Sequence, residues 1–287
     1  MMPVSIVILT KNEAEIIADC ITAAMMVSDD IIIMDNGSTD ETLSIAHAHN
    51  CRVYQNNWGN YGANKNKGVE LARHDWILSI DADEIPDMEL ILALYDLKLD
   101  DAATVYDIQY RSYFGGKRIR FGHWGRDHHI RLFNRKLVKW SEPKVHETLI
   151  LPPHIKIQKL SGYLHHYSVK NKHECMAKAI NYARLSAESH FQSGKKPGII
   201  SQYLSPYFGF FVNYIIFLGI LDGKEGWHIA RTIFKNKWLK YHYLAAMMGN
   251  AYKKKQFVNR SLTSVVSLSL SKTMRAGLCA QSSTSSD

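Results

Sequence analysis

Through the first third of the chain, apolar residues come in short unbroken runs, each followed by a polar turn and then by apolar positions at helical spacing. Val4 to Leu9 is the first run, closed by Thr10-Lys11-Asn12-Glu13 and followed by Ile16, Ile17, Cys20, Ile21 and Ala24. Asp30 to Met34 repeats the form, ends in Asp35-Asn36-Gly37-Ser38-Thr39-Asp40, and leads to a helical pattern through Leu43, Ala46 and Ala48. Asn-Gly supplies the tight turn there, and Ser38, Thr39 or Asp40 can cap the helix that follows. Arg52 to Gln55 predicts a third, shorter strand, and Gly62 to Gly68 opens a helix through Val69, Leu71 and Ala72. The fourth run, Trp76 to Ile80, stops abruptly at Asp81, Asp83 and Glu84.

Strands alternating with helices predict an α/β fold with a parallel sheet, covered on both faces and joined by right-handed crossovers. Ligands of such sheets bind beyond the carboxyl ends of the strands. Thr10 to Glu13, Asp35 to Asp40 and Asp81 to Glu84 all fall at those ends, so three polar turns converge on one crevice. Two aspartates one residue apart, where the backbone leaves the pleat, can both turn toward a divalent cation. Mg2+ and Mn2+ prefer oxygen ligands and keep positions open for phosphate oxygens. The same residues also read as a solvated acidic turn, and Asn36, Gly37 and Thr39 as turn chemistry. An ionised Asp35 suits the N–H donor of a uracil or a guanine, which leaves the base open. Lys65 and Lys67, with Arg73 beyond them, can meet diphosphate charge or form a solvated basic face.

After residue 104 the pattern changes. Val105 to Tyr110 alternates as a strand, Gly115-Gly116-Lys117 turns, and Arg118 to Phe121 returns, which predicts a hairpin. His128 to Phe133 is another strand. Lys172 to Phe191 reads as an amphipathic helix, and Tyr207 to Leu221 is the most apolar stretch of the chain. As a helix, that stretch of 15 residues reaches about 22 Å, short of the ~30 Å hydrocarbon core of a bilayer. It reads either as a helix under the sheet or as one lying in a membrane interface, beside Lys224, Arg231, Lys235, Lys237 and Lys240. Lys253 to Lys255 and a Ser/Thr-rich tail follow.

Composition fits a globular chain of 287 residues, 46% of them hydrophobic. Its net charge of +8 hides an asymmetry: residues 1–103 hold 6 Lys and Arg against 18 Asp and Glu, whereas residues 104–287 hold 29 against 9. An acidic half suits metal capture, and a basic half suits phosphate groups or an anionic membrane. Nucleic acid is not an expected partner, because no zinc-finger, helix-turn-helix or RNP pattern accompanies the basic residues. The four cysteines, Cys20, Cys51, Cys175 and Cys279, lack Cys-x-x-Cys spacing, so a reducing cytosol is the expected compartment. No signal peptide is expected from the first residues.

Ser5 to Glu13, Asp35 to Asp40 and Asp81 to Glu84 together resemble the family 2 glycosyltransferases with the GT-A fold. Arg131-Leu132-Phe133-Asn134, Val145-His146-Glu147 and Gly162 to Tyr167 further resemble the subgroup that adds β-linked glucose to the heptose of the lipopolysaccharide inner core. The resemblance implies a GT-A catalytic domain over residues 1–170, with a nucleotide-sugar half to residue 103 and an acceptor half beyond. A helical, membrane-proximal region over 171–256 and a disordered tail over 257–287 would follow. Thr10, Asn12 and Glu13 then fall at the nucleoside, Asp35 at the base, and Lys65 and Lys67 near the diphosphate. Asp81 and Asp83 fall at ribose and metal, Mg2+ or Mn2+, with His146, His165 or His166 as possible additional ligands.

The implied reaction inverts the anomeric centre in one displacement. It needs a general base, for which Glu147 comes first and Glu142 second. The implied donor is a nucleotide sugar, UDP-glucose, and the acceptor a lipid-linked saccharide at the anionic inner leaflet, reached by a cytoplasmic protein peripheral on the inner membrane. A polyprenyl phosphate, a capsular glycan or a protein acceptor would keep the same fold. A membrane-bound scaffold with a vestigial nucleotide crevice is the non-enzyme alternative. A sugar nucleotidyltransferase needs a glycine-rich loop after the first strand, which Thr10-Lys11-Asn12-Glu13 is not.

Overall fold

The computed structural model describes residues 1–55, 61–142, 147–196 and 198–249. Strands β1 (Val4–Thr10), β2 (Asp30–Asp35), β3 (Arg52–Gln55) and β4 (Trp76–Asp81) run parallel in the order β3-β2-β1-β4. Every residue of β1 and β2 is buried, which is why their sequences are continuous apolar runs and do not alternate. Helices α1 (Ile17–Met25) and α2 (Thr42–Ala48) cover one face, joined there by α4 (Met88–Tyr95); α3 (Tyr61–Leu71) covers the other. α1 buries Ile17, Cys20, Ile21 and Ala24, the stripe its sequence spacing predicts.

Beyond β4 the sheet becomes mixed. β5 (Glu84–Pro86) leaves the crevice and joins the far edge, while β6 (Thr104–Phe114), β8 (His128–Asn134) and β11 (Lys156–Val169) complete the order β4-β8-β6-β11-β5. β8 is antiparallel to both β4 and β6, and β11 runs parallel to β6. The expected hairpin turns at Gly115-Gly116, but its return is shorter than predicted: β7 (Lys117–Arg118) alone pairs back on Tyr113 and Phe114, and residues 119–121 are not strand. A two-stranded ribbon of β9 (Lys139–Trp140) and β10 (Leu149–Ile150) lies beside α3.

Close packing of α3 needs Gly68, because a Cβ there would fall 2.4 Å from the Val7 side chain and 2.8 Å from that of Met34. This approach brings the first turns of α3, with Asn64 and Lys65, to the carboxyl ends of β1 and β2.

α5 (Lys172–Gln192) starts at Asn171, whose side chain accepts the His173 and Glu174 N–H groups. A third core of Phe114, Ile119, Val169, Cys175 and Ile229 ties α5 and a long helix over 224–249, α7, to the ends of β6 and β11. The apolar stretch over 207–221 is not one helix. α6 (Ile199–Phe211) carries Pro206 inside it, passes into a π-helical turn at Val212–Ile216, and stops where Leu218 takes a left-handed conformation. Asn213 and Asp222 fasten this segment: Asn213 accepts the His123 N–H, and the Asp222 carboxylate accepts those of Arg120 and Phe121. The stretch is not under the sheet. Tyr207 and Phe208 are each 66% exposed, and Ile200, Tyr203, Leu204, Phe211 and Ile215 share that open face at helical spacing. No helix among the described residues is long and apolar enough to cross a membrane.

Candidate active site

The three polar turns meet as the sequence predicts, because backbone hydrogen bonds continue past the strand ends. Asn36 N–H donates to the Thr10 carbonyl and Ala82 N–H to the Leu9 carbonyl, both at 2.9 Å. Asn12, at a φ of 55°, laces the first two turns: its N–H donates to Ser38 Oγ and its Oδ1 accepts from Thr39 N–H. Asp35 is fully buried and its carboxylate accepts from Gly37 N–H, Ser38 N–H and Ser38 Oγ, so it shapes its own turn at the crevice floor. The buried Thr10 Oγ1 has no hydrogen-bond partner in the structure.

Asp81 ends β4 between two cations. Its Oδ1 lies 3.2 Å from Lys65 Nζ and its Oδ2 lies 3.4 Å from Arg131 Nη2. Against burial, which would raise it, these two charges hold the Asp81 carboxyl down to about 2. Oδ1 is buried beside the Lys65 ammonium. Lys65 is itself buried, lies 4.6 Å from the centre of the Trp140 ring, and holds Glu147 Oε1 at 3.2 Å. Beneath Asp81, Arg131 bonds Glu84 Oε1 at 2.5 Å and the Tyr110 hydroxyl, which in turn donates to Glu84. Burial pushes the Glu84 carboxyl up, and Arg131 opposes that shift.

Asp83 faces His166, with Nε2 3.5 Å from Oδ2. Although burial opposes it, the Asp83 hydrogen bond and charge raise the His166 imidazolium to about 9. Glu13 is raised to about 7, by burial first and then by the charge of Asp83. His165 goes elsewhere: its Nδ1 is 2.8 Å from the Tyr113 hydroxyl and its Nε2 is 3.8 Å from Asp87. Successive residues of a strand point to opposite faces, and the pairing of His166 with Glu84 sets which one looks into the crevice. His146, the other histidine expected near the metal, lies outside the described residues.

Other expected site residues divide in the same way. Lys67 stays on the exposed side of α3 with Glu70, 3.4 Å away. Glu142 bonds Asn66 Nδ2 at 2.9 Å and is exposed. Glu147, through Lys65, is the nearer of the two candidate bases to Asp81. Arg131, Tyr110 and Glu84 act together in a way the sequence does not announce, although Arg131 and Glu84 belong to the motifs quoted above. On α5, Lys178 donates to the Ser168 carbonyl and lies 3.0 Å from Glu174, while burial first, and then the charges of Asp81, Glu147 and Asp83, raise the Tyr182 hydroxyl above its ordinary value.

The donor set fits a divalent cation in kind, with the carboxylates of Asp81 and Asp83 where β4 ends and the His166 imidazole on β11 facing them. Among the described residues no three such groups already converge on a point. Asp81, Asp83 and His166 are now held by Lys65, Arg131 and each other, so binding a cation would exchange those ion pairs for metal bonds.

The profile of glycosyl transferase family 2 matches residues 5–151, half of the chain, and spans all three turns. The chain belongs to this family. Its architecture is the GT-A fold, with helices added after β11. An uncharacterized glycosyltransferase of Rickettsia felis is 27% identical over 91% of this chain and 95% of its own length, so the similarity continues into the C-terminal helices. The lipopolysaccharide core biosynthesis glycosyltransferase LpsC of Rhizobium meliloti is 26% identical over 71% of this chain and 78% of its own. Glucosyl-3-phosphoglycerate synthase from Mycobacterium tuberculosis, solved with Mn2+ and UDP-glucose, is 22% identical over 39% of this chain and 43% of its own, at a TM-score of 0.32.

Proposed function

We propose that this glycosyltransferase moves glucose from UDP-glucose, with inversion, onto a heptose of the lipopolysaccharide inner core, working with Mg2+ or Mn2+ at the inner leaflet of the membrane. The observation that carries the reading is the placement of Asp81 and Asp83 at the mouth of the sheet, beside the turns of Thr10 and Asp35. Thr10 and Asn12 would contact the nucleoside, and Asp35 would fix the turn against the base. Asp83, with Asp81 and His166 beside it, would hold a cation, which when bound would supply positive charge for the departing diphosphate. Lys65 anchors Asp81 and orients Glu147, which we assign as general base toward the accepting hydroxyl. The name of the Rhizobium relative supports a lipopolysaccharide core acceptor.

The exposed aromatic face of α6 supports work at a membrane surface. Such a row of aromatics and aliphatics, with Lys235 and Lys240 on the neighbouring α7, suits the headgroup boundary of an anionic leaflet.

A screen of nucleotide sugars against truncated lipopolysaccharide cores, scored by the mass added, tests the reading. Transfer of one hexose from UDP-glucose to a heptose-terminated core is expected, and no transfer to any such core removes the acceptor assignment. In the same assay Glu147→Gln should lower kcat about 100-fold or more while UDP still binds. Should Glu142→Gln do this and Glu147→Gln not, the base is the second of the two candidate carboxylates.

A further inference from the structure

A cavity of about 720 Å3 opens beside the crevice, within the ~300–1,000 Å3 range of small-molecule sites. Arg118, Arg120, Arg126 and Lys159 line it, and Asp127 is its one carboxylate. Its Oδ1 lies 3.0 Å from His129 Nε2. None of the four cations makes an ion pair among the described residues, whereas Lys117, next in sequence to Arg118, is neutralised by Glu225 at 2.7 Å. Arg126 is held in place by the Phe217 ring, 4.7 Å from its guanidinium carbon.

The wall between cavity and crevice is Tyr110. It lines the cavity, its hydroxyl bonds Glu84, and its ring centre is 5.5 Å from that of His166. A molecule seated among the four cations is therefore one side chain away from Asp83 and His166.

We infer that this cavity binds an anionic group, a phosphate or a carboxylate, carried by the acceptor saccharide, and so selects charged acceptors over neutral ones. The inference rests on the glycosyltransferase reading above and adds the chemical class of acceptor. Four like charges gathered around one opening, against a single carboxylate, raise the local concentration of anions and leave donors free for phosphate or carboxylate oxygens. Arg, with its planar fork, makes up three of the four.

Calorimetric titration of the full chain with three probes tests the proposal. The probes are the deacylated inner-core oligosaccharide with its phosphates, the same fragment after phosphatase treatment, and the fragment with its carboxyl groups reduced. One of the two modified fragments should bind about tenfold more weakly or worse than the first, which names the anion as phosphate or carboxylate. Arg118→Gln with Arg126→Gln should erase the preference while keeping the wild-type thermal midpoint, and Lys159→Gln should reduce it by a smaller factor. Equal binding of all three fragments by the wild type, or an undiminished preference in folded variants, overturns the proposal. Hydrolysis of UDP-glucose by the wild type is measured alongside. Its absence would count against the glycosyltransferase reading, whereas hydrolysis without charge preference would count against the cavity alone.

Discussion

His166 faces Asp83 at 3.5 Å, while His165, one residue earlier on β11, turns to Tyr113 and Asp87. The alternation of a strand thus separates two adjacent imidazoles into one that can share a cation with Asp83 and one that braces the sheet.

His166→Ala should weaken Mn2+ binding in the presence of UDP about tenfold or more, and His165→Ala should leave it within about twofold. Asp83→Ala should abolish both the binding and metal-dependent hydrolysis of UDP-glucose. Calorimetric titration with Mn2+ decides between the histidines. Equal losses from both would mean that the parity of β11 does not govern the metal site.

The Arg131–Glu84 pair is nearly sealed from solvent, with side-chain exposures of 8% and 1%. Removing one partner of such a pair costs about 3–5 kcal/mol, because the other charge stays buried and uncompensated. Arg131→Met should therefore lower the unfolding free energy in urea by that amount, and adding Glu84→Gln should restore part of it. Tyr110→Phe removes only hydrogen bonds and should cost about 1 kcal/mol. A loss under about 1 kcal/mol for Arg131→Met would show that the pair is not a structural keystone.

At the opposite end of the sheet, Asp30 accepts hydrogen bonds from Ser5 Oγ, Arg73 N–H and Arg52 Nη1. Burial would raise its carboxyl, but these three partners hold it below its ordinary value of 3.8. The unfolded chain takes up this proton first as pH falls. The stability Asp30 contributes is thus fully present above 3.8 and drains away below it, toward the lower folded-state value. Urea midpoints measured from pH 6 downward should show a steeper acid limb in the wild type than in Asp30→Asn. Parallel limbs would mean that the carboxyl titrates alike in both states.

The open face of α6 predicts binding to vesicles that contain anionic lipid. Wild-type protein should co-sediment with them, less so as salt rises, and Leu204→Asp with Phe208→Asp should reduce the bound fraction severalfold at unchanged helix content. Indifference of the wild type to anionic vesicles at any salt would reject the interfacial role of this face.

Much of the first third of the chain was legible because its signals are local. Continuous apolar runs mark strands buried on both faces, the stripe of Ile17, Cys20, Ile21 and Ala24 marks α1, and each run ends where its polar turn begins. Parallel topology then forces those turns to one edge, so the convergence of Thr10, Asp35 and Asp81 follows from order alone. The helix break inside 207–221 was less legible, since the π-helical turn at Val212–Ile216 and the left-handed Leu218 interrupt a composition that stays apolar throughout.

Sequence by itself determined the strand–turn–helix units, the acidic and basic halves, and the carboxylates at the sheet's mouth, because each depends on neighbours a few residues away. Tertiary structure decided which histidine meets Asp83, that Arg131 reaches Asp81 and Glu84 across 50 and 47 residues, and that four cations with no ion pair among the described residues surround one opening. Those outcomes depend on register between distant strands, where a shift of one residue turns every side chain to the opposite face.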